Sequence, residues 1–431
     1  MPRLTLVVLL PALAGAAAFA QSGFYLKSGD GVVFYGDSIT EQRLYGLFTE
    51  MFVVTRFPSL HVTFTYSGWS GDHVTGGVGG TIDQRLERDV FPYRPTVVTV
   101  MLGMNDGNFS PFDQAAYDIY SHGYEHIVQS LKAHLPGVRI TAIEPSPYDD
   151  VTRPPKFPGG YNAVLLRYAR FVRELAEREH LQDADLNTSV VEALRRANQT
   201  DPKHAAELIS DRVHPGVAGH LLLSKALLKA WNAPSLVSSV TIDAAAGRLT
   251  DSRRASVTNL KHDGSLKWDS LESSLPLALD AKEKDDLIRL ALDSSNYVAE
   301  LDREELKITG LTPGRYVLKI DGGIAGSYDA EDLAKGVNLA TADTPMLRQA
   351  FDVMGFVYRH CEIHDFRWRT LQVTMANDTY PSKAKAMADL DRLDSEIVAR
   401  ERATAQPKIH HFELVGASTQ GHAAVAAFLQ G

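Results

Sequence analysis

The feature that most constrains this chain is a regular alternation between residues 31 and 231. Short runs rich in β-branched residues, at 32–35, 62–66, 96–102 and 138–143, read as strands. Longer stretches at 40–53, 113–134 and 161–180 lie between or after them with helical spacing. In the last of these Val164, Leu165, Tyr168, Phe171, Val172 and Leu175 share one face. A short strand at 183–186 and further helices follow, ending in an apolar helix from about 217 to 231. Strands alternating with helices predict an α/β fold: a three-layer sandwich around a mainly parallel sheet. In such a sheet, ligands sit beyond the carboxyl ends of the strands.

After about residue 235 the texture changes to a mixed β-hairpin and helical region. Residues 240–243 and 255–260 read as strands, with His262-Asp263-Gly264 as a turn. Residues 305–311 and 315–322 both alternate and flank Thr312-Pro313-Gly314, which predicts a hairpin. Helices are expected at 343–356 and 382–404, the second amphipathic with Met387, Leu390, Leu393 and Ile397 on one side. With 431 residues the chain has room for two or three domains. The expected division is residues 1–20, 21–235 and 236–431.

Residues 1–20 read as a cleavable signal peptide. Arg3 gives a positive start, residues 4–13 an apolar core, and Ala18-Phe19-Ala20 a small-x-small site, so the mature chain is expected to begin at Gln21. The apolar stretch is shorter than the ~20 residues a membrane span needs. A secreted or periplasmic location follows. The formal net charge of −9 argues against nucleic acid or an anionic membrane as partner. Nothing in the residues speaks to oligomeric state. The single cysteine, Cys361, reads as a packed residue. His360 and His364 are four apart, but two ligands among several arginines do not make a metal site, and no cofactor is called for.

Four blocks stand at strand ends or before the last helix. Gly36-Asp37-Ser38 follows the first strand and sets a hydroxyl at a strand-to-helix turn. Ser38-x-x-Glu41 is equally a capping box. Gly68-Trp69-Ser70-Gly71 follows the second strand, where glycines let backbone N–H groups approach a ligand. Gly103-Met104-Asn105-Asp106 follows the third. Asp211-Arg212-Val213-His214 precedes the last helix, and an acid three residues before a histidine can meet its ring. Each block alone reads as a turn or a cap as readily as chemistry. Trp69, Trp268 and Trp368 are candidates for stacking on sugars, although burial is the commoner use of tryptophan.

As an ordered set, these blocks resemble the SGNH, or GDSL-type, hydrolase family over about residues 28–232. The resemblance implies a flavodoxin-like fold and the cleavage of ester bonds. It makes Ser38 the nucleophile, His214 the base and Asp211 its orienting carboxylate. The N–H groups of Ser38 and Gly71 and the Asn105 side chain would form an oxyanion hole. Family members often carry Asn where this chain has Tyr66. The expected substrate is a small-molecule or polysaccharide ester, with a carbohydrate acetylesterase as the leading reading. A lysophospholipase or thioesterase is the alternative, and an inactive carbohydrate-binding protein is the reading from another class.

Overall fold

The computed structural model describes residues 23–279 and 285–417. The expected signal peptide lies outside the described residues. The chain runs through β1 (Gly31–Gly36), α1 (Ser38–Glu41), α2 (Leu44–Arg56) and β2 (Thr63–Gly68). A two-residue ribbon of β3 (Gly76–Gly77) and β4 (Gly80–Thr81) leads into α3 (Ile82–Asp89). Then come β5 (Val97–Met101), α4 (Gln114–His134), β6 (Arg139–Ile143), α5 (Gly160–Glu179) and β7 (Gln182–Ala184). Helices α6 (Leu186–Thr200), α7 (Pro202–Ala205) and α8 (Val217–Ala230) close this half.

The five main strands form one parallel sheet in the order β2-β1-β5-β6-β7. Crossovers leave toward both edges, through α2 on one side and through α4 and α5 on the other. Right-handed connections therefore place these helices on opposite faces. Both faces of the sheet are covered, which is why Val32, Val33, Phe34 and Tyr35 of β1 are all buried and form an unbroken apolar run. The order reverses between β1 and β5. That switch point opens a crevice at the ends of these two strands. The helix starts are set locally: Asp113 caps α4, Asp185 caps α6, and Thr81 with Gln84 forms a capping box on α3.

Two expectations from this half need correction. The helix expected at 40–53 breaks at Arg43, whose φ of 66° is left-handed, so α1 and α2 are separate. The N-cap of α1 is Asp37, whose carboxylate accepts from Ile39 N–H at 3.0 Å. Ser38 is therefore the first helical residue and its hydroxyl is not used as a cap.

The second half contains β8 (Leu236–Asp243), β9 (Arg248–Arg253), β10 (Ala255–His262) and β11 (Leu266–Glu272). After α9 (Asp286–Ser295) and α10 (Tyr297–Leu301) come β12 (Arg303–Thr309), β13 (Arg315–Ile320) and β14 (Gly323–Asp329). Then follow α11 (Ala330–Lys335), β15 (Val337–Asn338), α12 (Pro345–Asp365), a π-helical stretch Phe366–Thr374, α13 (Lys383–Thr404) and β16 (Ile409–Gly416). The strands make two sheets, β15-β12-β8-β9 and β10-β11-β16-β13-β14.

The hairpin expected at 305–322 does not form. β12 pairs in parallel with β8, whereas β13 pairs with β14 and β16 in the other sheet. The Pro313-Gly314 connection instead carries the chain between sheets. Leu306 and Ile308 on one strand and Leu318 and Ile320 on the other are all buried. Alternation reports a buried face, not a strand's partner. The true hairpin here is β13–β14, turned by Asp321 and Gly322, both left-handed at φ 51° and 81°.

One hydrophobic cluster runs through both halves, from Val32 and Trp231 to Ile308 and Leu414. No described helix is long and apolar enough to cross a membrane. Between the two later sheets, Glu272 and Glu304 are buried against Trp268, Leu306 and Phe412. Both Glu304 oxygens and one of Glu272 lack a hydrogen-bond partner among the described residues. Burial pushes Glu272 up to about 7, and burial followed by the charge of Glu272 pushes Glu304 up as well. Protonated carboxyls thus favour the folded state. The stability they confer is complete below about pH 4.5 and is lost as pH rises through about 7. Glu272→Gln is expected to raise the unfolding free energy at pH 8 by on the order of a few kcal/mol, and to leave it little changed at about pH 4.5. Superimposable pH–stability curves for the two proteins would sink this reading.

Candidate active site

The crevice at the end of β1 is built from four loops. Gly36 is needed there by contact: a Cβ would lie 2.6 Å from Met101 O on β5 and 2.3 Å from Thr40 Oγ1. Asp37 turns the chain into α1, and its burial, with Asp106 and Asp72 nearby, pushes its carboxyl up to about 7. Ser38 follows, only 8% exposed, with Oγ 2.8 Å from His214 Nε2. His214 Nδ1 lies 2.6 Å from Asp211 Oδ2. The other Asp211 oxygen accepts from the N–H of Val213 at 2.9 Å and of His214 at 2.7 Å. Partial burial opposes ionisation of Asp211, but these hydrogen bonds prevail and hold its carboxyl below the usual range. The structure thus brings Ser38, His214 and Asp211 into one hydrogen-bonded line.

Gly71 adopts a left-handed φ of 74° in the loop after β2. Neither its N–H nor that of Ser38 has an acceptor among the described residues. Asn105 Nδ2 donates to Asp72 O at 2.9 Å, which fixes the amide beside this loop and leaves its second N–H. Asp72 is itself held by Arg85, fully buried, at 2.7 Å. Asp106 Oδ1 accepts from Val74 N–H at 2.9 Å, tying the Asn105 loop to the chain beyond Gly71. Tyr66, at the position where the family often has Asn, points its hydroxyl at buried Glu50 instead.

Several participants escape sequence reasoning. Arg212, left-handed at φ 77°, anchors the His214 loop by donating to Asp149 O and Pro154 O at 3.0 and 2.9 Å. Arg369, from the π-helical stretch, lies over the Trp69 ring at 3.2 Å and pairs with Glu41. Trp69 therefore stacks on protein, not on open solvent. Trp268 and Trp368 are buried. A long-range salt bridge has no local signature, so only the π-helical turn itself marks Arg369 as unusual.

His360 and His364 lie on α12 against the edge of the parallel sheet. His360 Nδ1 contacts Asp394 at 2.7 Å and Nε2 contacts Phe64 O at 3.1 Å. Burial opposes charge on His360, but Glu50 and Asp394 prevail and push it up to about 10. His364, pushed down to about 4 by burial and by the charge of His360, donates to Tyr66 O at 3.1 Å. These nitrogens are committed to the fold. No group of three or more candidate metal ligands occurs among the described residues. Cys361 is buried and its thiol is pushed up to about 12 by burial.

Residues 34–222 match the GDSL-like lipase/acylhydrolase family. The chain is similar to an acetylxylan esterase of Geobacillus stearothermophilus, 27% identical over 229 residues, covering 47% of this chain and 94% of that protein. It is also similar in structure to a gut microbial diltiazem-metabolizing enzyme. That likeness has a TM-score of 0.79 at 26% identity and covers 91% of this chain and 98% of the other. It extends through the second half, which the acetylxylan esterase match does not.

Proposed function

Residues 34–222 belong to the GDSL-like lipase/acylhydrolase family, which makes the chain a carboxylic ester hydrolase, and from that premise we propose that it is an exported serine acetylesterase acting on acetylated carbohydrates or similar small acyl esters. The observation that carries the reading is the unbroken Ser38–His214–Asp211 line at the switch point of the sheet. In this reading His214 takes the Ser38 proton as Oγ attacks the ester carbonyl. The N–H groups of Ser38 and Gly71 and the Asn105 amide receive the oxyanion, each donor being worth ~10²–10³ in rate. The tetrahedral intermediate collapses, the alcohol leaves with the proton from His214, and water attacks the acyl-enzyme by the same route. Asp211 holds the ring in the tautomer that presents Nε2 to Ser38. The leader-like pattern of residues 3–20 supports export.

The acetyl preference is supported by the likeness to an acetylxylan esterase. It is tested by a chain-length series of nitrophenyl esters alongside acetylated xylan, diltiazem and a lysophospholipid. A short acyl pocket rejects each added methylene by ~1–3 kcal/mol, so kcat/KM is expected to fall steeply beyond about four carbons. A profile that rises with chain length, with turnover of the lysophospholipid, would replace this reading with a lipolytic one.

A further inference from the structure

The two backbone donors of the proposed oxyanion hole sit on weak supports. Ser38 opens a helix of four residues, too short to be stable alone. Gly71 lies in a glycine-bearing loop. The two supports touch: a Cβ on Gly68 would lie 2.1 Å from Glu41 N. Yet donors must be held to about 0.5 Å to act on a developing oxyanion.

What braces them comes from the far end of the chain. Arg369 pairs with Glu41, the last residue of α1, and its guanidinium carbon sits 3.2 Å from the Trp69 ring centroid, in the Gly71 loop. Its Nη1 is buried with no hydrogen-bond partner among the described residues, and its guanidinium is held by the stack as well as by the ion pair. The neighbours of Arg369 fix the stretch that carries it. Trp368 Nε1 donates to Asp89 at 2.7 Å and meets Trp69 edge-on, and Gln372 donates to Arg88 O at 3.2 Å. At the foot of α12, Glu362 and Asp365 hold Arg43, the left-handed residue between α1 and α2, at 3.1 and 2.9 Å. The stretch is nine residues of π-helix, a rare conformation that is frequent at functional sites.

We propose that Arg369 is a positioning residue: the C-terminal region reaches back to clamp Glu41 and Trp69 together, so that the N–H groups of Ser38 and Gly71 converge on one point. The proposal rests on the serine-esterase reading above. A clamp of this kind acts on the transition state and hardly on substrate affinity. Arg369→Ala is expected to lower kcat for nitrophenyl acetate about 10–100-fold, with KM within about threefold. Fluorophosphonate labelling should slow in parallel. Arg369→Lys keeps the charge but loses the planar stack, so it should restore only part of the rate. In a double-mutant cycle, Glu41→Gln in the Arg369→Ala background should cost little more than Arg369→Ala alone.

A kcat within twofold of the parent in folded Arg369→Ala overturns the clamp. So do losses that multiply in the double variant, or a raised KM with kcat intact, which would make Arg369 a substrate contact. Should Arg369→Ala not fold, the same comparisons are made with Arg369→Lys and Glu41→Gln. Failure of the underlying reading looks different, because Ser38→Ala would then keep its activity.

Discussion

Ser38→Ala and His214→Ala are each expected to lower kcat for nitrophenyl acetate by on the order of 10⁴–10⁶, with the melting temperature unchanged. The size follows from the arrangement. Ser38 Oγ has His214 Nε2 as its partner at 2.8 Å, so removing either group removes both nucleophile activation and proton delivery to the leaving alcohol. The two losses should not multiply: the double variant is expected to be no worse than either single one. Asp211→Asn should cost somewhat less, about 10⁴, by favouring the wrong tautomer of His214. Folding should survive Ser38→Ala because Asp37, not Ser38, caps α1. Retained turnover in Ser38→Ala would refute the nucleophile assignment, and the fluorophosphonate adduct would then map elsewhere.

The second large effect is on stability. Arg56, at the end of α2, and Asp302, just before β12, form an ion pair at 2.9 Å with both side chains fully buried. Asp302 also accepts from Leu277 N–H at 3.1 Å, and Arg56 donates to Pro234 O at 3.0 Å. Burial pushes Asp302 up to about 7 and Arg56 down to about 10, so desolvation works against both charges. Such a pair adds little net stability, but breaking it leaves one charge stranded. Asp302→Asn is expected to destabilise the protein by ~3–5 kcal/mol. The double variant Arg56→Met with Asp302→Asn should recover at least half of that, since the carboxamide can still accept from Leu277. Arg56→Met alone should be milder at pH 5, where Asp302 takes up a proton, than at pH 8. Additive losses across the cycle, measured by urea unfolding, would show that the pair is not coupled.

The parallel-sheet half was legible because its information is local. A strand covered on both faces must be buried almost throughout and mainly apolar, and β1, β5 and β6 are. The blocks around Ser38, Gly71, Asn105 and His214 were visible close after strands or before the last helix, but only the resemblance of the ordered set to a family gave them roles. What the sequence withheld was non-local. Arg369 and Glu41 are 328 residues apart, and nothing near either one announces the other. The left-handed turn at Arg43 has no glycine or asparagine to mark it, and it is held by residues of α12. The alternation of 305–322 marks two strands with buried faces, but the two lie in different sheets and do not form a hairpin. A Pro-Gly turn and an inter-sheet crossover look alike until the partners are known.

The paired histidines of α12 have a consequence for how the molecule meets its own kind. Along a helix, four residues advance about 6.0 Å. Along a parallel strand, two residues advance about 6.6 Å. His360 and His364 are thus nearly commensurate with the carbonyls of Phe64 and Tyr66 on β2, the edge strand of the sheet. An open strand margin is a template on which a second chain can polymerise. Here a helix with a matching ruler occupies that template with imidazole N–H groups in place of backbone ones. The β2 margin of the parallel sheet is thereby shielded from strand-by-strand association without a sixth strand being spent on it.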